Sequence, residues 1–142
     1  MIFLSDEMRA AFETALADGA PVLIASASSQ GMPDIAFKGS AMVFDADHVA
    51  YWERALGTTF QNLTENPAVC VLYRNPKTRT AWKMFGTAAL HPAGEIRQQV
   101  MDRTIQLELD RDPERRGAAV LIRIDRVLQG GGPEIDPATA GA

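Results

Sequence analysis

The chain has 142 residues, of which 46% are hydrophobic and 23% charged, ordinary values for one globular domain able to bury a core without staples. Lysine and arginine number 14 against 18 aspartates and glutamates, and the densest basic clusters, Arg111–Arg116 and Arg123–Arg126, are interleaved with acids. The basic stripe of a nucleic-acid-binding protein is therefore absent. The single cysteine, Cys70, excludes an internal disulfide framework and a cysteine-based zinc site, and its place in the apolar run Ala68–Tyr73 reads as a small buried thiol. His48 and His91 lie far apart without ligand spacing, so no metal site is expected. No apolar stretch approaches the roughly 18 residues of a membrane span, and the N-terminus MIFLSDEMR lacks the features of a signal peptide. The expectation is a cytoplasmic protein with no membrane partner.

Ser5 opens a first helix, Asp6 and Glu7 suit its positive end, and Met8, Ala11, Phe12, Ala15 and Leu16 recur at helical spacing before Gly19. Val22–Ala27 is a short apolar strand, and Ser28–Gly31 is its turn. Asp34–Phe44 reads as one long strand with a bulge at Gly39; Ile35, Phe37, Ala41 and Val43 fall on one face, and Lys38, Ser40 and Met42 on the other. Asp45-Ala46-Asp47 makes a hairpin turn, which accounts for both acids without a metal. His48–Arg54 returns, with Trp52 and Arg54 on one face and Tyr51 and Glu53 on the other.

Thr58 to Gln61 has the pattern of a capping box, opening a short helix that Pro67 stops. Ala68–Tyr73 is a strand suited to burial on both faces. A turn at Asn75-Pro76 leads to the long strand Thr80–Leu90, interrupted by Gly86. Gly94–Leu109 reads as one helix, with Ile96, Val100, Thr104 and Leu107 along a side; Asp110–Gly117 is a charged loop, and Ala118–Leu128 the last strand. Residues 1–129 then form one domain, and Gly130–Ala142, rich in Gly, Pro and Ala, a flexible tail. Short turns between neighbouring strands imply antiparallel pairing, and six strands with few helices fit a small barrel, mainly β with flanking helices.

Familiar catalytic motifs are missing. Gly130-Gly131-Gly132 is followed by Pro133 rather than by the helix a dinucleotide fingerprint needs, and there is no phosphate loop, nucleophile elbow or zinc-protease helix. What remains is a polar concentration in the middle of the chain: Lys38 and Ser40, Trp52 and Arg54, then Thr58 and Thr59 at a helix start, whose free amides suit a phosphate. An aromatic such as Trp52 or Trp82 could cover a flat ring. Spacing alone points to a phosphorylated aromatic ligand.

The run Pro33–Phe44, then Asp45–His48, Gly57-Thr58-Thr59 and Asn62-Leu63…Asn66-Pro67, resembles the pyridoxamine 5′-phosphate oxidase-like FMN-binding split-barrel family. Lys38-Gly39-Ser40 and Gly86-Thr87-Ala88 fit the same pattern over roughly Ala20 to Leu128. The resemblance implies a six-stranded antiparallel split β-barrel that forms a homodimer with flavin sites at the subunit interface. It also implies a cofactor site in which Lys38, Ser40, Arg54, Thr58 and Thr59 hold the FMN phosphate and the backbone of Ala36, Phe37 and Lys38 runs beside the ring. Arg79 and Trp82 would come from the partner subunit. The departures bear on substrate: Thr58 and Thr59 stand where the oxidases proper have Arg-Lys, Pro33 stands where they have an arginine, and Gly130–Ala142 carries no C-terminal Trp and Arg. Oxidation of pyridoxamine phosphate is thus not expected. The leading expectation is an FMN-dependent oxidoreductase acting on a small-molecule substrate of unknown identity, with no side chain marked as a catalytic acid or base. The alternatives are a non-enzymatic flavin or haem sensor, with His48 or His91 as haem candidates, and a deazaflavin-dependent reductase.

Overall fold

The alternation of apolar residues over most of the chain is met by strands, and the helices sit where that alternation gives way to helical spacing. The computed structural model describes residues 4–130, Gly132, Glu134 and Ile135. In chain order the elements are α1 (Asp6–Thr14), β1 (Leu23–Ala27), β2 (Pro33–Phe37), β3 (Met42–Val43), β4 (His48–Glu53), α2 (Thr58–Glu65), β5 (Ala68–Asn75), β6 (Thr80–His91), α3 (Glu95–Arg103), α4 (Gln106–Leu109) and β7 (Ala118–Gln129). They form one antiparallel sheet of seven strands, in the order β2-β1-β5-β6-β7-β4-β3. The outermost strands, β2 and β3, are joined by only Lys38–Ala41. So short a link reaches at most about 3.6 Å per residue, so the sheet must curl until its two edges meet. The result is a split-barrel-like fold.

The strand count corrects the sequence reading. Asp34–Phe44 is two strands on opposite edges, not one bulged strand, because the chain turns at Gly39 and Ser40, with the Ala41 amide donating to the Lys38 carbonyl at 3.1 Å. The turn also changes the phase. Ala41 and Val43 are buried as expected, whereas Ile35 and Phe37 face outward, 64% and 68% exposed. Gly86 is the interruption foreseen in β6. The register against β7 shifts between Phe85 and Gly86, and a Cβ at Gly86 would stand 2.2 Å from the Arg123 carbonyl oxygen.

Inside the curl, Ile24, Val71, Met84, Ile122 and Ile124 pack against Val49 and Tyr51, and Met8 and Phe12 of α1 close one end. Phe12 and Tyr73 stack at 5.8 Å between ring centroids, and Tyr73 and Trp82 at 5.2 Å. Ser5 caps α1 by accepting from the Met8 amide at 3.2 Å, as its sequence implies. Outside the curl, Val100 of α3 covers Met42, Ala50 and Ala119. The expected helix Gly94–Leu109 is broken at Thr104, an extended residue, so Leu107 is exposed rather than aligned with Val100. β5 is buried on one face only, and Cys70 on its other face is half-buried, which corrects the reading of a buried thiol. Of the segment expected as a tail, the Gly130 amide donates to the Ala81 carbonyl at 2.8 Å and that of Gly132 to the Gln129 carbonyl at 3.0 Å, Glu134 bridges to Leu128, and the Ile135 amide donates to the Val127 carbonyl at 2.8 Å; residues 131, 133 and 136–142 lie outside the described residues. Among the described residues no helix is long and apolar enough to cross a membrane.

The charged loop before β7 is anchored by Asp112. Its carboxylate accepts from the Trp52 indole at 3.0 Å and from the amides of Arg116 and Gly117 at 2.9 Å each. Burial pushes the Asp112 carboxyl up, but those two amides, the indole and the nearby Arg115 charge outweigh it and hold it below the usual carboxylate range. A depressed folded value means that the ionised form stabilises the fold above the unfolded pKa of about 3.9, and that this contribution is lost as pH falls through the folded value. Asp112→Asn is therefore expected to cost about 1–3 kcal/mol at neutral pH. It should also flatten the acid limb of a plot of urea-unfolding stability against pH.

Candidate functional site

The turn between β2 and β3, the end of β4 and the helix α4 enclose a cavity of about 310 Å³. It gathers five of the residues expected from sequence: Phe37, Lys38, Ser40, Trp52 and Arg54. It also holds two that sequence reading did not place there, Glu53 and Glu108. Strand alternation puts Glu53 in phase with the core residues Val49 and Tyr51, and Glu53 is only 2% exposed. A carboxylate in that position needs a cation. Lys38 supplies it, its Nζ donating to both Glu53 oxygens at 2.9 and 3.0 Å. The lysine Nζ also lies 5.4 Å from the centre of the Tyr51 ring, whose phenol is raised by burial and by the Glu53 charge. The Tyr51 hydroxyl is the single buried side-chain polar atom without a hydrogen-bond partner among the described residues.

The other residues of the cavity are partly committed. The Ser40 hydroxyl accepts from the Trp52 amide at 2.9 Å and donates to the Trp52 carbonyl at 3.0 Å, so it stitches the turn to β4. Arg54 donates its Nε to Glu108 at 3.3 Å. Glu108 reaches that position because residue 39 has no side chain: a Cβ there would stand 2.2 Å from a Glu108 carboxylate oxygen. The Trp52 ring, expected as a cover for a flat ligand, is 2% exposed, bonded to Asp112 and overlain by the Arg97 guanidinium at 4.8 Å. It is a wall of the fold, not an open face.

Thr58 and Thr59 stand apart from the cavity, at the start of α2. The capping box does not form. Gly57 is the cap, Thr58 is already helical, and no side chain caps the end, because Gly57 takes the position that the sequence reading gave to Thr58. The first amides of α2 thus have no side-chain partner, while the Thr59 hydroxyl donates to Asp34 at 3.5 Å. Ala36 lies on β2, paired with Ile24. Arg79 sits in the β5–β6 turn at a φ of 58°, remote from the cavity residues in the strand order. Trp82 is 4% exposed, with its ring stacked on Tyr73.

The histidines are separate again. His48 Nδ1 lies 2.8 Å from a carboxylate oxygen of both Asp45 and Asp47, in the hairpin turn between β3 and β4. His91 ends β6 opposite Ala119.

The outer face of the sheet shows a further pattern. The registers align Ile35, Ala25, Cys70, Phe85 and Arg126 in one row across five strands, and Phe37, Leu23, Leu72, Lys83 and Leu128 in the next. Seven of those ten side chains are apolar carbon, and Met32, Ile35 and Phe37 are exposed at the β2 edge. The apolar parts of Lys83 and Arg126 continue the surface, with the Arg126 guanidinium 5.1 Å from the centre of the Phe85 ring.

Comparison with known proteins places this geometry. A search of curated proteins finds no match. Among solved structures, a Lactobacillus delbrueckii protein named, by inference, a pyridoxamine 5′-phosphate oxidase is 23% identical, with a TM-score of 0.71 over 89% of this chain and 93% of that one. An FMN-binding protein from Syntrophomonas wolfei is 13% identical, with a TM-score of 0.65 over 84% of this chain and 81% of that one. HutZ, the haem storage protein of Vibrio cholerae, is 14% identical, with a TM-score of 0.65 over 92% of this chain and 97% of that one. These likenesses establish the fold. The family model described as pyridoxamine 5′-phosphate oxidase matches residues 6–128, nearly the whole described chain, and the protein belongs to that family.

Proposed function

We propose that the protein is an FMN-binding member of its family, a homodimeric flavoprotein of the cytoplasm that serves as an oxidoreductase for a small molecule. The observation that carries this reading is the start of α2. It offers backbone amides with no side-chain cap, next to the hydroxyls of Thr58 and Thr59, and such an end attracts a phosphate. The family match and the FMN-binding relative support the same ligand. A bound flavin would supply hydride chemistry at its ring, while the protein supplies binding and orientation.

The fit of the chain's own residues to FMN divides in two. The uncapped α2 start suits the phosphate, and the outward Phe37 suits an aromatic ring. The cations fit less well: Lys38 is held by Glu53 and Arg54 by Glu108, and Asp34 brings a carboxylate beside Thr59. The phosphate seat is therefore assigned to amides and hydroxyls, with the two expected cations acting on carboxylates instead. A haem ligand is the second reading, supported by the likeness to HutZ, whose name records haem storage for that protein.

The dimer rests on the apolar rows of the outer sheet face. Carbon surface running across five strands and ending in Met32, Ile35 and Phe37 exceeds what scattered exposed side chains provide, and a second copy of the face is the occupant proposed for it. Ile35→Lys is expected to shift sedimentation from dimer to monomer and to weaken FMN by about tenfold or more, since half of each site would leave with the partner. A monomeric wild type that binds FMN tightly would remove the interface from the reading.

Titration of purified protein with FMN and riboflavin tests the ligand itself. FMN binding at micromolar concentration, with flavin bands that bleach under dithionite, is expected; a Soret band on reconstitution with haem, and no flavin binding, would favour the haem reading. Thr58→Asp should leave unfolding stability within about 0.5 kcal/mol, because Thr58 caps nothing, yet weaken FMN much more than riboflavin by charge repulsion. Equal affinity in wild type and variant would move the phosphate elsewhere.

Lys38→Ala has a different expected signature. Removing the cation leaves Glu53 charged and buried, which costs about 3–5 kcal/mol in the ligand-free protein by urea unfolding. A loss below about 1 kcal/mol would mean that the pair behaves like a solvated one.

A further inference from the structure

Where α1 closes one end of the barrel, a second cavity of about 350 Å³ lies between that helix and the β5–β6 hairpin. Glu7, Ala10, Ala11, Thr14 and Asp18 recur at helical spacing and make one wall, the two alanines leaving the room. Glu7 and Asp18 are exposed carboxylates, and no lysine or arginine lines the cavity. Asp18 is held in place by the Thr14 hydroxyl, which donates to it at 2.7 Å and leaves its charge uncompensated. The opposite wall adds an unanswered donor. Asn75 is 6% exposed and shares the inward face of β5 with Val71 and Tyr73, the face on which Phe12 of α1 stacks. Its side-chain oxygen accepts from the Lys77 amide at 3.0 Å, which fixes the nitrogen as the free end. Among the described residues that nitrogen has no acceptor, and the Thr78 and Thr80 hydroxyls bond each other at 3.0 Å. It is not sealed in the interior, so it opens on the cavity that its residue lines.

We propose that this cavity binds a small organic amine that also carries a carbonyl or hydroxyl oxygen, its ammonium on Asp18 and its oxygen on the Asn75 amide. The carbon body lies against Ala10, Ala11 and the rings of Tyr73 and Trp82. An anion would meet two uncompensated carboxylates, and a bare cation would leave the nearly buried Asn75 donor without a partner. A molecule with both groups answers both walls. Glu7, about three helical turns before Asp18, is too far to share the same ammonium and acts through its field. The volume lies at the small end of small-molecule sites, which suits a ligand about the size of an amino acid. This site shares no residue with the α2 start, the β2–β3 turn or the apolar rows of the outer sheet face, and it does not depend on a bound flavin.

Isothermal titration of the full chain at a pH near 6.5 with leucinamide, which carries an ammonium, a carbonyl and a branched carbon body, tests the site. Saturable binding at about millimolar concentration or below is expected. N-acetyl-leucinamide, which lacks the charge, should not bind. 3-Methylbutylamine keeps the charge and the carbon but lacks the carbonyl, and should bind about threefold or more weakly, because the Asn75 donor goes unanswered. Asp18→Asn, which still accepts from Thr14, should lower the affinity for leucinamide by about threefold or more. Ala10→Leu should remove binding by filling the cavity with both acids present, a result that surface charge alone would not give. Residues 10 and 18 are both exposed, so neither variant endangers the fold. Absence of leucinamide binding, equal binding of the acetylated probe or of 3-methylbutylamine, or unchanged affinity in either variant overturns the proposal.

Discussion

The barrel closes where a lysine from one edge of the sheet reaches a carboxylate near the other. Lys38 opens the four-residue turn that follows β2 and carries the chain across the seam, and Glu53 ends β4. Both charges are withdrawn from water, at 12% and 3% side-chain exposure, so neither tolerates the loss of its partner. A hydrophobic pair could stabilise the seam as well, but it would not fix which residue of β2 meets which residue of β4. Ser40 reinforces the same register by bonding both backbone groups of Trp52. The turn, the phase change of β2 and the position of Arg54 all follow from this closure.

Absence of a side chain matters as much at the seam. Gly39 lets Glu108 press against the turn, and through Glu108 the short helix α4 touches a site otherwise built from strands. Gly117 does the same one layer out, where a Cβ would stand 2.5 Å from the Glu53 carbonyl oxygen and 2.8 Å from the Trp52 indole nitrogen. Asp112 then holds that indole and the start of β7 together. The loop that looks like solvated charge in the sequence therefore braces the wall of the cavity.

Local rules were sufficient where the responsible contact is local. Ser5 caps α1, Asp45–Asp47 turns the β3–β4 hairpin, and Pro67 ends α2, each within a few residues of its cause. They failed where a distant partner decides. Nothing near Gly39 says that residues 33–37 pair with β1 while residues 42–43 pair with β4. Nothing near Thr104 says that the helix after it must turn to bring Glu108 to Arg54. The contacts that bury the two tryptophans are of the same kind, since Asp112 lies 60 residues from Trp52 and the Tyr73–Trp82 stack forms across a hairpin. One signal was available: Glu53, alternating with Val49 and Tyr51, is a charge in a core phase, and such a residue implies a cation opposite.

That charge pairing changes how the polar centre of the chain should be understood. Composition makes Lys38 and Arg54 look like free anchors for an anionic ligand, yet each arrives with a carboxylate already bound. The two pairs differ in what they leave over. Lys38 and Glu53 satisfy each other in the interior and set the fold; Glu108 takes only the Nε of Arg54. A buried acid therefore neutralises a cation on each side of one turn, with both its oxygens in the first case and through a single nitrogen in the second.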